Sequence, residues 1–234
     1  MKKQLVILCL LAVSVLSRAQ MNNPYVDDKI VHFGFSLGTS FLAYGVTDSE
    51  INIDGETYHA RTSSVMPGFT VGFIADVRLS RHLNLRFLPN LNFGQVTVSY
   101  KTESGNPVKG SANSKVDVLS LPLALPLVLK WSAEREKNYR PYVLLGGGVS
   151  LDFAGQKERA IYQKMTDFFV TFGFGCDLYL EWFKLCPELR YQMGFNNVIT
   201  PVEDRPELAK SDYFYTQAIK RLRNHMITLT FNFE

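Results

Sequence analysis

The sequence predicts an all-β chain, folded as an eight-stranded antiparallel barrel that crosses a lipid bilayer behind an N-terminal signal peptide. Three observations predict it: hydrophobicity alternates with period two in eight successive segments, short and long connections alternate between them, and an apolar leader precedes the first. The 234 residues are 46% hydrophobic and 20% charged, with 16 Gly, 10 Pro and 3 Cys, which excludes disordered, collagen-like and disulfide-framework chains.

The leader comes first. Lys2 and Lys3 precede an apolar run from Leu5 to Leu16, and the small residues Ser17 and Ala19 stand before Gln20. This is the layout of a secretory signal peptide at 1–19, leaving 20–234 as one barrel domain. A retained helical anchor would need roughly 20 apolar residues, more than this run supplies. Cys9 lies inside the run, so a lipid-modified N-terminal cysteine is not expected. Removing Lys2, Lys3 and Arg18 lowers the 25 basic residues to 22, equal to the 22 acidic ones. A neutral chain without a basic stripe gives no reason to expect a nucleic-acid partner.

The eight segments follow in order. Val31-Phe33-Phe35-Leu37 alternates with His32-Gly34-Ser36-Gly38, and Phe69 through Leu79 alternates with Thr70-Gly72-Ile74-Asp76-Arg78. Leu83-Leu85-Phe87 and Leu91-Phe93 face away from Asn84, Arg86, Asn90 and Asn92. Leucines recur at every second position from Leu119 to Leu129, opposite Ser120, Ala124 and Lys130. Val143 to Phe153, Phe168 to Leu180, Leu185 to Phe195 and Ile227 to Phe233 complete the set.

A soluble sandwich also alternates, so the polarity of the second face decides between the two folds. That face is largely Gly, Ser, Thr and Asn rather than the Lys and Glu of a wetted surface, and its few charges carry both signs. Small residues suit the crowded inside of a narrow barrel. The bulky face carries no charge within the eight segments, as expected where each would cost about 2–4 kcal/mol at the bilayer midplane. Short links at 80–82, 132–138 and 182–184 alternate with long polar ones at 47–64, 101–115, 154–165 and 197–219. Short periplasmic turns, longer outer loops and both termini in the periplasm are the pattern of an outer-membrane barrel, and Trp131, Tyr139 and Trp182 stand where its aromatic girdle belongs.

Eight strands enclose a lumen that side chains just fill, so an open channel is not expected. Asp76, Arg78, Arg86, Asp177, Glu181, Glu188 and Arg190 then read as a structural charge network across the lumen. An enzymatic alternative, lipid modification, needs a nucleophile and a base within reach. Of the four histidines only His225 stands at the lipid boundary, and Arg221 and Arg223 beside it suit anionic headgroups instead. No His-x-x-x-His or Cys-x-x-Cys spacing occurs, and neither a catalytic residue nor a cofactor nor a metal is expected. Cys176 and Cys186 fall on opposite faces of the sheet, which argues against a disulfide between them.

Several of these segments carry a resemblance. His32-Phe33-Gly34-Phe35, Pro67-Gly68-Phe69, Leu85-Arg86-Phe87-Leu88-Pro89, Arg140-Pro141-Tyr142, Pro187-Glu188-Leu189, Asp204-Arg205-Pro206-Glu207-Leu208 and Leu229-Thr230-Phe231-Asn232-Phe233-Glu234 occur in this order. Each is weak alone, but the ordered set resembles the PorT family, the outer-membrane barrel component of the Bacteroidetes type IX (Por) secretion system, over essentially the whole chain after the leader. The resemblance implies a non-enzymatic accessory needed for export and maturation of C-terminally tagged cargo, such as the gingipain proteases. It also implies other type IX components as partners, the large translocon barrel among them, because eight strands cannot pass a folded protein. A structural or adhesive surface barrel is the alternative.

The longest connection mixes Asp204, Arg205, Pro206 and Glu207 with Tyr213, Phe214 and Tyr215, a composition that favours protein contact. An equally open reading packs this loop on the barrel rim. The last run, with Phe231 and Phe233, resembles the terminal aromatic signature read by the barrel-assembly machinery. Outer-membrane lipid is the remaining expected partner.

Overall fold

In the computed structural model, residues 22, 27, 29–49, 52–53, 56–102, 115–155, 161–205 and 213–234 are described; the stretch 1–19 expected to be a signal peptide lies outside them. Among these residues twelve strands form one antiparallel sheet. They are β1 (Val31–Asp48), β2 (Asn52–Ile53), β3 (Glu56–Val65), β4 (Pro67–Arg78), β5 (Leu83–Phe87), β6 (Asn90–Thr102), β7 (Lys115–Ser120), β8 (Pro122–Ser132), β9 (Tyr139–Asp152), β10 (Thr166–Tyr179), β11 (Lys184–Gly194) and β12 (Ile219–Phe233).

Eight staves make the wall, because three of them are each interrupted once and the two-residue β2 pairs only with β3. The breaks fall at Met66 before Pro67, at Leu88-Pro89, and at Leu121 before Pro122. Proline has no N–H to donate to the ladder, so each break sits where the sequence removes a donor. Joined across these breaks, β3 with β4, β5 with β6 and β7 with β8 are single staves. The sheet closes where β1 pairs with β12, from Phe35 opposite Phe233 up to Asp48 opposite Ile219. In its lower part, where β1 pairs with both β12 and β4, closure leaves the wall without an open edge, as hydrocarbon surroundings require.

Period two then sorts the side chains. Phe33, Phe73, Leu145 and Phe174 are among the most exposed apolar residues, and they form a belt around the outside. Ser36, Asp76, Arg86, Asn92, Thr171 and Thr230 are buried within.

Two expectations about the connections need correction. The stretch 47–64 is not a loop throughout, since β1 continues to Asp48 and β3 starts at Glu56. Its polar residues are strand residues standing above the lipid belt, where the outward face meets water. The stretch 197–219 is also partly ordered and partly internal: it holds a 3-10 turn at Val202–Asp204 and the short helix α1 (Tyr213–Gln217), and it buries Val198, Ile199 and Tyr215.

Candidate functional site

The lower, periplasmic half of the interior is built from charges that the wall brings face to face. Asp76 on β4 stands opposite Arg86 on β5 in the ladder, and the Arg86 Nε donates to Asp76 Oδ2 at 2.7 Å. Arg86 also reaches across the lumen to the opposite wall, 3.5 Å from Glu188 Oε2 on β11 and 2.6 Å from Glu234 Oε1 after β12. Glu188 accepts from the Tyr142 hydroxyl at 2.8 Å and from Asn232 Nδ2 at 3.2 Å, and its second oxygen lies 2.9 Å from Arg190 Nε. Tyr142 fits because β10 offers Gly175 beneath its ring: a Cβ there would lie 2.5 Å from the phenol oxygen.

A second pair spans three neighbouring staves. Lys130 Nζ on β8 donates to both oxygens of Asp177 on β10, at 2.8 and 2.7 Å, passing over β9 and lying 4.1 Å from the centre of the Tyr142 ring. Lys184 completes the set by pairing with Glu234. Arg86, Lys130, Lys184 and Arg190 thus face Asp76, Asp177, Glu188 and Glu234, so the buried cluster is balanced in sign. Balance is what a water-poor interior demands, because an unpaired buried charge costs several kcal/mol.

The structure places two of the expected network residues elsewhere. Glu181 is exposed in the turn after β10, because the strand ends at Tyr179 and its alternation does not continue past it. Arg78, at the end of β4, donates to the Asp27 carbonyl oxygen at 2.5 Å and does not join Asp76, whose partners are Asn84 and Arg86. Lys184 and Glu234 were not foreseen in the network. Each sits at a strand end, yet each shares the inward parity of its neighbours Glu188 and Asn232, which is the signal that could have found them.

At the periplasmic mouth, Asn22 and Asp27 bond to the wall. The Asn22 N–H donates to Asn138 Oδ1 at 2.8 Å, and its side-chain amide donates to the Tyr179 carbonyl at 3.0 Å. Asp27 accepts from the Tyr179 hydroxyl at 2.8 Å and lies within 4 Å of Arg135 and Arg140.

The outer half of the interior is largely apolar, with polar pairs such as Gln163 with Tyr44 and Asn224 with Asp167 set within it. Leu42, Val96, Val98, Tyr100, Leu222 and Met226 point inward from the wall, and Ile161, Val198, Ile199 and Tyr215 enter from the connections above it. Backbone bonds stitch those connections together: Lys164 N to Val198 O at 2.7 Å, Thr200 N to Tyr162 O at 3.0 Å and Val198 N to Leu222 O at 2.9 Å. Tyr100 donates to the Tyr215 carbonyl at 3.0 Å, and the two rings meet edge to face at 5.0 Å.

This packing corrects the reading of the loop as a set of contact residues. Arg205 is buried, donating to Thr216 Oγ1 at 3.1 Å, and Tyr215 belongs to the outer core, so neither is offered to a partner. Asp204 is exposed and Tyr213 half-buried, Phe214 lies in the backbone of α1, and Pro206 and Glu207 fall outside the described residues. Of the expected assembly signal, Phe231 faces lipid, and Phe233 stacks on Phe35 at 4.9 Å across the closing ladder. His225 has Nδ1 2.7 Å from the Tyr191 hydroxyl on the outer face of the wall.

Comparison with known proteins agrees with this architecture. A search of curated protein sequences finds no match. Similar solved structures include Neisserial surface protein A, with 9% identity and a TM-score of 0.42 over 87% of this chain and 98% of that one. OprG from Pseudomonas aeruginosa is similar at 12% identity and a TM-score of 0.46, over 86% and 92%. The attachment invasion locus protein Ail of Yersinia pestis is similar at 10% and 0.36, over 86% and 96%. A family model described as "Outer membrane protein beta-barrel domain" matches residues 18–200. The chain belongs to that outer-membrane β-barrel family and is an integral protein of the outer membrane.

Proposed function

We propose that the protein is a non-enzymatic structural barrel that serves the outer membrane through its two ends, as a surface or docking element, and does not conduct. The filled lumen carries this reading: ion pairs occupy its lower half and mainly hydrocarbon its upper half, so the ends are the surfaces left for macromolecules. Exposed Glu203 and Asp204 on the outer end are suited to such contact. Charge reversal at these two positions, followed by co-purification after mild detergent extraction, tests it. Loss of a stoichiometric partner from a correctly folded barrel is expected; an unchanged set of partners would count against the outer end as the docking surface.

A finer reading makes that partner the type IX secretion machinery, with the barrel an accessory for export and maturation of C-terminally tagged cargo of the gingipain type. The ordered motif set, from His32-Phe33-Gly34-Phe35 to Leu229–Glu234, supports it. The large translocon barrel is then the neighbour, and the barrel-assembly machinery is a partner during biogenesis, through Phe231 and Phe233. Phe233→Asp is expected to abolish insertion. A chromosomal deletion strain decides the finer reading. Unprocessed cargo held in the periplasm behind an intact outer membrane, and released by restoring the gene, agrees with it; normal export leaves the structural or adhesive barrel.

A further inference from the structure

On the outward face of β12 every second side chain from the periplasmic end is apolar: Phe233, Phe231, Leu229 and Ile227. The next three on that face are His225, Arg223 and Arg221. At a rise of about 3.3 Å per residue and a tilt near 40°, the step from Phe233 to His225 climbs roughly 20 Å, close to the top of an apolar band about 25 Å tall. The change from apolar to cationic therefore falls where the outer-leaflet headgroups begin.

The row is open on its β1 side, while Met193 of β11 stands opposite His225. Ala43, Gly45 and Thr47 on β1 stand opposite His225, Arg223 and Arg221, so a shallow groove of small residues runs beside the cations. The imidazole lies over the glycine: a Cβ on Gly45 would be 2.8 Å from His225 Nε2. Tyr191, bonded to Nδ1, fixes the ring from the other side. Arg221 donates through Nη2 to the Phe195 carbonyl at 3.0 Å. The Nε groups of Arg221 and Arg223 have no acceptor, and no carboxylate pairs with either guanidinium, among the described residues. In the periplasmic half, by contrast, the buried cations Arg86, Lys130, Lys184 and Arg190 each face a carboxylate.

The geometry points to a binding site for a phosphate-bearing headgroup of an outer-leaflet lipid, of the phosphorylated glucosamine type, held by Arg221 and Arg223 beside His225. A guanidinium fork matches the phosphate oxygens and keeps its charge at any working pH. The source is a lipid because the row is continuous below with Ile227, Leu229 and Phe41, which cover acyl chains.

The test uses the full-length barrel in mild detergent, with binding of bis-phosphorylated lipid A followed by native mass spectrometry. At about fivefold per arginine, Arg221→Gln with Arg223→Gln is expected to weaken binding roughly 25-fold. Gly45→Leu keeps both arginines but drives the imidazole from its seat over Gly45, and is expected to weaken binding as well. Arg61→Gln with Lys101→Gln removes the same charge from exposed positions on β3 and β6 and should leave binding unchanged. Dephosphorylated lipid A should bind the wild type no better than the phosphorylated lipid binds the double variant, and inorganic phosphate alone should not displace the lipid. Heat-modifiable migration on gels confirms that each variant is folded. Equal binding by a folded double arginine variant, indifference to the lipid's phosphates, or displacement by inorganic phosphate would each overturn the proposal.

Discussion

The stave formed by β5 and β6 fills the lumen twice, with opposite chemistry. Its lower part contributes Arg86, held by three carboxylates, and its upper part contributes Val96, Val98 and Tyr100, surrounded by hydrocarbon. The difference follows from what each level has available. In the lower half, apart from Asn22 and Asp27 at the mouth, the wall supplies the side chains, so long residues from opposite staves must meet across the axis. Ion pairs are the long side chains that can do so while satisfying one another. In the upper half the connections fold inward and bring Ile199 and Tyr215 with them, so shorter apolar residues close the space.

The two halves should also respond differently to damage. A buried ion pair adds little over a well-packed apolar replacement, but losing one member strands the rest. An apolar core loses stability in proportion to what is removed.

The largest effect is expected from Arg86→Met, which leaves Asp76, Glu188 and Glu234 without their shared cation. We expect a loss of about 3–5 kcal/mol, read from urea unfolding of the barrel in detergent micelles. A loss below about 1 kcal/mol would mean that water reaches this level and the lower half is not a sealed core. Leu222→Ala in the upper half comes next, at about 3 kcal/mol from the cavity it creates. Near-neutral behaviour there would mean that the connections are not seated on the wall. Tyr100→Phe removes the hydrogen bond to the Tyr215 carbonyl and should cost about 1 kcal/mol. Limited proteolysis should then show faster cleavage near α1 with the wall still intact; unchanged cleavage would detach the tyrosine from the order of that connection.

The smallest net effect sharpens the contrast. Lys130→Met together with Asp177→Leu exchanges a buried pair for apolar side chains and should leave stability within about 1 kcal/mol of the parent, whereas Lys130→Met alone should cost about 3 kcal/mol. Equal losses from the single and double variants would show that the pair contributes net attraction rather than mutual satisfaction.

The two halves also differed in how far the sequence reveals them. Strict alternation places Asp76, Arg86, Asp177, Glu188 and Arg190 inside, because a strand's period fixes the direction of each side chain. The same rule misleads at strand ends: it assigns Glu181 to the lumen, though the chain has already turned, and reads Lys184 as part of a turn although it starts β11. The upper core is illegible for a different reason. A connection has no period, so nothing in the mixed charged and aromatic stretch from Asp204 to Tyr215 says that Arg205 and Tyr215 point inward. The proline breaks at Pro67, Pro89 and Pro122 are written in the sequence, but not that the staves continue across them.

The central claim is that the two fillings together close the lumen, and single-channel recording on the purified barrel in a planar bilayer tests it most directly. The account predicts no sustained conductance from the intact protein at moderate voltage. A steady, ohmic open level from the wild-type barrel would contradict it.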